Sequence, residues 1–299
     1  MTITQAIAYA SLIGLDRLDS QLLLLHLLGK APTERAWLLS HDGDAVSAAQ
    51  AMAFEHAVAQ RKNGVPLEYI TGHAAFYGLD LLVDQRVLIP RPDTETLVDW
   101  ALEVIDGDVL DLGTGSGAVA LALKQARPQL QVFATDASPD ALVVAKANAQ
   151  RLHLAVNFIH GDWLGALRNV ASNPASNVAS NVASNNASNM ASLTPLAPSR
   201  FKLIVSNPPY IAAADPHLAA LVHEPVQALT SGEDGLFDIR QIVGQAPAHL
   251  QAGGWLLLEH GYDQAERVRG LLEHAGFAAV ASRRDLAGHE RCSGGRWSR

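Results

Sequence analysis

Val109-Leu110-Asp111-Leu112-Gly113-Thr114-Gly115-Ser116-Gly117 reads as a short apolar strand that runs into a glycine turn and opens a helix. Glycines let the backbone turn sharply there and let a ligand approach the main chain. Outward from this stretch the same alternation repeats. Strands are predicted at 109–112, 131–135, 157–160, 203–206, 255–259 and 278–282, with a last one near 291–297. Helices fill the gaps at roughly 94–105, 117–127, 139–152, 235–251 and 263–275. Strands alternating with helices of this length imply an α/β domain built on a mostly parallel sheet with right-handed crossovers.

The rest of the chain has a different character. Residues 1–63 read as a small helical bundle. Asp19 or Ser20 can cap a helix carrying Leu22, Leu23, Leu25, Leu27 and Leu28. Thr33 can cap a second helix with Glu34 in its first turn, and Ala45 to Arg61 is an alanine-rich helix stopped by Asn63-Gly64. Residues 64–92 form a linker. Tyr69–Gly72, Ala75–Gly78, Leu79–Val83 and Val87–Ile89 suggest short strands with glycine turns, and a β-hairpin is the expectation. The sheet domain then occupies 93–299. Within it, Ala171 to Ser192 repeats Ala-Ser-Asn without apolar bulk, charge or period, and reads as a flexible low-complexity insertion.

Composition excludes several classes. At 299 residues, 48% hydrophobic and 17% charged, the chain can bury a sizeable core. A formal charge of −8 argues against a nucleic-acid backbone as the main partner, which calls for a net basic face. The single cysteine, Cys292, leaves no intramolecular disulfide and fits a reducing cytosol as a bystander thiol. The leucine cluster at 22–28 is too short to span a bilayer, and the first residues carry no secretory pattern, so a cytoplasmic setting is expected. The histidines lack paired acids or cysteines at ligand spacing, so no metal is expected. His73, His223, His260 and His289 read as structural or surface groups.

The chemistry-bearing residues cluster at strand ends. The glycine spacing is Gly-x-Gly-x-Gly, neither the dinucleotide fingerprint nor a phosphate-binding loop with Gly-Lys-Ser/Thr. Asp136 ends the next strand, where a carboxylate can accept both hydroxyls of a ribose. Asp111 can meet the amino group of an amino acid moiety or orient the loop, and both readings stand. Gly161-Asp162-Trp163 follows the third strand and suits the edge and face of an adenine. A glycine turn, a ribose acid and an adenine site with no phosphate grip together suggest S-adenosylmethionine as cofactor.

Asn207-Pro208-Pro209-Tyr210 follows the apolar run Leu203-Ile204-Val205-Ser206, at the carboxyl end of a strand where open α/β sheets bind ligands. Two prolines remove two N–H donors and stiffen the loop. Carbonyl acceptors, one amide and one ring remain. Such a loop can hold a planar –NH2 group, in an amide or on a nucleobase.

With these residues in view the chain resembles class I methyltransferases. More closely it is similar to the peptide chain release factor glutamine methyltransferases. The stretches that carry the likeness are Pro66-Leu67-Glu68-Tyr69-Ile70-Thr71-Gly72, Val87 to Glu95, the glycine loop, Asn207 to Tyr210, Glu224-Pro225 with Ala228-Leu229, and Arg284 to Arg291. Asp93 stands where that family usually shows Glu, and the Ala-Ser-Asn segment is a second departure. The resemblance implies a Rossmann-like seven-stranded domain behind an N-terminal helical bundle and a hairpin. It implies cofactor contacts at Gly113 to Gly117, Asp136, Trp163 and Asn207, beside Asp111 and Asp162 from the reading above. It also implies a release-factor glutamine, in a Gly-Gly-Gln tripeptide, at Asn207, Pro208, Pro209 and Tyr210. Asn207, Pro208 and Tyr210 are the expected catalytic groups. Adenine-N6 DNA methyltransferases and ribosomal-protein glutamine methyltransferases share the tetrapeptide, but the former should carry a basic recognition region, and the bundle and the run around Pro90 argue against the latter. A protein that merely holds the cofactor would not need this loop.

Overall fold

The computed structural model describes residues 1–167 and 197–299, so the Ala171–Ser192 repeat lies outside the described residues. The chain divides into two compact units, Met1–His73 with Val83–Gln85, and Ala74–Leu82 with Arg86–Arg299.

The smaller unit is helical: α1 (Ile3–Leu12), α2 (Arg17–Leu27), α3 (Arg35–Ser40), α4 (Ala48–Lys62) and the short α5 (Leu67–Thr71). Thr2 with Gln5 and Ser47 with Gln50 form capping boxes at the starts of α1 and α4. Each satisfies N–H groups that a helix leaves without a partner. Ile3, Leu23, Leu24, Leu25, Leu38, Phe54 and Val58 pack into the core of this unit. Several expected starts are corrected. Asp16, not Asp19 or Ser20, caps α2 through its carboxylate and the Leu18 N–H. Asp19 instead pairs with Arg61 at 2.7 Å, and the Ser20 hydroxyl donates to the Asp16 carbonyl. Thr33 does not cap α3. Glu34 precedes that helix, and its carboxylate accepts the Ala31 N–H. Tyr69–Thr71, expected as a strand, is helical. Pro66 opens the turn, Thr71 Oγ1 donates back to the Leu67 carbonyl, and Leu67 and Ile70 pack on the bundle core. Packing on that core outweighs the β preference of Tyr, Ile and Thr.

The hairpin strands β1 (His73–Phe76) and β2 (Leu79–Leu82) belong to the larger unit from Ala74 onward. Tyr77 and Gly78 join them with φ of 48° and 75°, the two consecutive positive values of a tight hairpin turn. Phe76, Leu79 and Leu81 enter the core of this unit. Val87–Ile89, expected as a strand, joins no sheet, and the Ile89 N–H donates to the Glu224 carboxylate. The remaining elements are α6 (Glu95–Val104), β3 (Val109–Leu112), α7 (Ala118–Ala126), β4 (Val132–Asp136), α8 (Pro139–Leu152), β5 (Asn157–His160), β6 (Phe201–Ser206), α9 (Phe237–His249), β7 (Leu250–Glu259), α10 (Ala265–His274), β8 (Ala278–Arg284) and β9 (Glu290–Arg296).

The seven strands β3 to β9 form one sheet in the order β5-β4-β3-β6-β7-β9-β8, parallel except for β9, which is antiparallel to both its neighbours. Central strands read as nearly continuous apolar runs because both faces are covered. All four residues of β3 are buried, with α6, α7 and α8 packed in one layer and α9 and α10 in another. From β3 the chain moves outward to β4 and β5, then returns to the other side of β3 with β6. The gap between the carboxyl ends of β3 and β6 is therefore a topological switch point, the general ligand position of such sheets. Register pairs Leu112 with Ser206, and Ser206 Oγ donates to the Leu112 carbonyl at 2.7 Å. The glycine loop and Asn207 thus leave the sheet side by side.

Candidate active site

A cavity of about 640 Å³ opens at that switch point, lined entirely from the larger unit. Its size lies within the usual range for small-molecule sites. Asp111, Gly113, Thr114, Gly115, Ser116, Asp136, Asp162, Trp163, Asn207 and Pro209 all line it. Gly117 precedes α7, and Gly117, Pro208 and Tyr210 are not among the residues that line the cavity.

The glycine turn is held from both sides. Thr135 O accepts the N–H groups of Gly113 and Thr114, each at 2.9 Å. Asp136 accepts the Gly115 N–H on one oxygen and the Ser138 N–H on the other, both at 2.8 Å. Gly113 has φ of 70°, and a Cβ there would stand 3.0 Å from Trp163 Cζ3, so only glycine lets the indole cover the turn. Trp163 itself sits at φ of 41°, a strained backbone that costs about 1–3 kcal/mol. Its indole N–H donates to Asp238 at 3.2 Å, and Asp238 accepts the Ser231 hydroxyl at 2.7 Å. The buried Asn148 amide joins the Ser116 carbonyl to both backbone groups of Leu82, tying the hairpin to the loop.

Burial pushes the Asp111 carboxyl up to about 7, although it accepts the Thr114 hydroxyl at 2.6 Å. Burial likewise raises Asp136, against the pull of its two N–H donors. Glu259, at the end of β7, is 1% exposed and also pushed up to about 7 by burial. Tyr210 donates to it at 3.3 Å, and burial raises that phenol too. Asn207 Nδ2 donates to Thr94 Oγ1 at 3.2 Å.

These shifts set a pH dependence. An unfolded Asp releases its proton near pH 4, whereas the buried Asp111 holds its proton to about 7. Between these values the folded state binds more protons, so Asp111 makes stability fall with rising pH, by at most about 1.4 kcal/mol per pH unit. Asp111→Asn is neutral throughout. We expect its melting temperature to gain on that of the wild type as pH rises from about 5 to about 7.5. A constant difference across that window, read by calorimetry, would refute the assignment.

Several site residues were not singled out in the sequence. Glu259 carried one signal, a carboxylate at the carboxyl end of a strand. Asp238 and Asn148 carried none, because Trp163 lies 75 residues from Asp238, and Leu82 and Ser116 lie 66 and 32 residues from Asn148. Thr94 lay within a family-like run without an assigned role. Asp93 in that run pairs with Arg291 at 3.3 Å. Cys292 is buried in β9, and burial pushes its thiol up, away from reactivity. His260 is buried between the Gly261 carbonyl and Ser293. Among the described residues no group of three or more His, Cys, Asp or Glu side chains could hold a metal ion, and no helix is long and apolar enough to cross a membrane.

The cavity's charge limits what it can hold. Five aspartates line it (Asp111, Asp136, Asp140, Asp162 and Asp238), against one arginine, Arg86. A polyphosphate would meet repulsion there, while a ligand carrying ammonium and sulfonium charges would not. The residues present fit S-adenosylmethionine.

Comparison with known proteins agrees. Residues 3–72 match the PrmC N-terminal domain and residues 92–187 the methyltransferase small domain. The chain is 46% identical over 288 residues to the release factor glutamine methyltransferase of Bordetella pertussis, spanning 94% of this chain and 95% of that protein. The chain belongs to the release factor glutamine methyltransferase family. A second member, from Xylella fastidiosa, is 43% identical over 298 residues, with 97% of each chain covered. A methyltransferase from Pyrococcus furiosus shares the fold, with a TM-score of 0.50, 16% identity, and coverage of 85% of this chain and 100% of that one. Within the family frame, Asp93 keeps the charge of the usual Glu and spends it on Arg291.

Proposed function

We propose that this protein transfers a methyl group from S-adenosylmethionine to the side-chain amide nitrogen, N5, of the glutamine in the Gly-Gly-Gln motif of peptide chain release factors. The observation that carries this reading is the juxtaposition at the switch point. An acid-lined cavity without a phosphate grip meets Asn207, in a loop of two prolines, at the end of the adjacent strand.

When bound, the cofactor supplies an electrophilic methyl group on a sulfonium. Asp136 would take the ribose hydroxyls, Asp162 the adenine amino group and Trp163 the adenine face. Asp111 would face the amino acid moiety while its Thr114 bond holds the loop. On the substrate side, the Asn207 Oδ1 and the Pro208 carbonyl would accept the two amide hydrogens. Tyr210 and neighbouring apolar groups would flank the amide plane. An amide nitrogen is a poor nucleophile because its lone pair is delocalised into its carbonyl. Two acceptors aim it and favour the form in which positive charge develops. Such positioning can supply roughly 7–11 kcal/mol, and charge-matched acceptors a few more. The methylated amide then sheds a proton readily, so no base of its own is required. The setting we propose is the cytoplasm, with neither nucleic acid nor membrane as partner.

Transfer of tritium from labelled cofactor tests this directly. Label is expected in a purified release factor and not in its Gly-Gly-Gln glutamine→Ala variant, in ribosomal proteins or in duplex DNA. Label in the ribosomal or DNA arm alone would overturn the reading.

A further inference from the structure

Two stretches singled out in the sequence, Val87 to Glu95 and Glu224-Pro225 with Ala228-Leu229, meet at one buried carboxylate. Glu224 is 6% exposed. Its Oε2 accepts the Ile89 N–H at 3.2 Å, and its Oε1 pairs with the Arg91 guanidinium. From this joint a circuit of hydrogen bonds runs through three segments of the larger unit. Beyond Glu224, the Leu229 carbonyl accepts the Ile211 N–H at 2.9 Å, and Ile211 directly follows Tyr210. At the other end of that loop, Asn207 Nδ2 donates to Thr94 Oγ1 at 3.2 Å. The Thr94 N–H donates to the Arg91 carbonyl at 3.1 Å, which closes the circuit.

All three segments contribute to the cavity wall: Leu88 and Pro90, Asn207 and Pro209, Pro225 and Ala228. Three of these six are prolines, which offer a guest no N–H and leave carbonyls and apolar rings. Of the expected cofactor contacts only Asn207 belongs to the circuit, so it bounds the substrate side. Neither Glu224 nor Arg91 is among the lining residues. We propose that Glu224 and Arg91 are positioning residues, an ion pair that closes a three-segment collar around the substrate end of the cavity. The inference rests on the reading of Asn207 as the glutamine's acceptor. The segments are loops and short 3₁₀ turns, outside the seven-stranded sheet, so a few bonds between them set their relative placement. Opening one joint therefore frees the others.

The test compares Arg91→Met, Arg91→Lys, Glu224→Gln and the double variant Arg91→Met/Glu224→Gln in the full chain. Arg91→Met removes the donor to Glu224, and Glu224→Gln leaves one amide oxygen for two donors. Each is expected to lower kcat/KM for the release factor by about 10- to 100-fold while calorimetric cofactor affinity stays within about threefold. Arg91→Lys keeps a charged donor and should recover most of the loss. The double variant should lose no more than about twofold beyond the worse single, because one joint is broken in each case. A second readout does not depend on the substrate. Hydrogen exchange should quicken by about tenfold or more in fragments spanning both 86–91 and 209–213 in Arg91→Met and in Glu224→Gln, but not in 111–118. Faster exchange in 86–91 alone, which a merely local role would give, would overturn the collar. So would a double-variant loss equal to the product of the singles, or a loss in Arg91→Lys equal to that in Arg91→Met. Arg91 is partly exposed, so its variants decide the matter if Glu224→Gln does not fold. If the wild type fails to methylate the release factor, the substrate reading falls, and exchange still decides the collar.

Discussion

Asn207→Ala should lower kcat on a release factor by at least about 100- to 1000-fold, the usual cost of removing one preorganised polar group from a transition state. The side chain lines the cavity and is half-buried, and its hydrogen bond is to Thr94. Its removal leaves the glycine loop, Asp136 and Trp163 in place. Cofactor affinity should therefore change by less than about tenfold, and stability by about 1 kcal/mol, the net worth of one hydrogen bond. Single-turnover kinetics with calorimetric binding would separate these effects. A variant that binds cofactor normally and still turns over at the wild-type rate would remove Asn207 from the chemistry.

The second large effect is expected at Gly235, which touches no cofactor. Its φ is 72°, and a Cβ there would stand 2.3 Å from the Tyr210 carbonyl oxygen and 2.7 Å from Gln264 Nε2. Gln264 Nε2 donates to that carbonyl at 2.9 Å and so holds the carboxyl end of the Asn207–Tyr210 loop. Gly235→Ala adds left-handed strain of about 1–2 kcal/mol and overpacking of about 1–3 kcal/mol. Together these should lower the melting temperature by roughly 5–15 °C. The methyl group must also push the Tyr210 backbone or break the Gln264 bond, and a shift of about 1 Å in the loop can cost about 100-fold in rate. Cofactor affinity should fall far less than kcat, because Gly235 lies outside the cavity lining. A melting temperature within about 1 °C of the wild type would show that the loop yields without cost.

Much of this fold was legible because it is written in local patterns. The strand and helix alternation from Val109 onward appears in the structure within a few residues at each end, since apolar runs buried on both faces leave little ambiguity. The misreadings fall where local signals conflict with distant packing. Tyr69–Thr71 has β-forming residues but lies after a proline and against a helical core. Val87–Ile89 has strand residues, but Glu224 takes the Ile89 N–H and no strand pairs with it. Asp19 and Ser20 are good capping residues, yet Asp16 has the backbone position to do it.

The candidate site divides in the same way. The sequence by itself determined that a glycine turn, Asp136 and the Asn207–Tyr210 loop sit at strand ends, because motif, spacing and strand period are properties of neighbouring residues. It also determined, through an acidic balance and the lack of a phosphate-binding motif, the class of ligand such ends could take. Only the tertiary structure decided that β3 and β6 are neighbours, which sets the glycine loop beside Asn207. It alone brought Glu259 and Thr94 behind that loop, Asp238 to the Trp163 indole, and Gly235 against the Tyr210 carbonyl. The reason is physical. A buried polar group must find its hydrogen-bond partner wherever the fold supplies one, and here the partners lie 49 to 113 residues away along the chain.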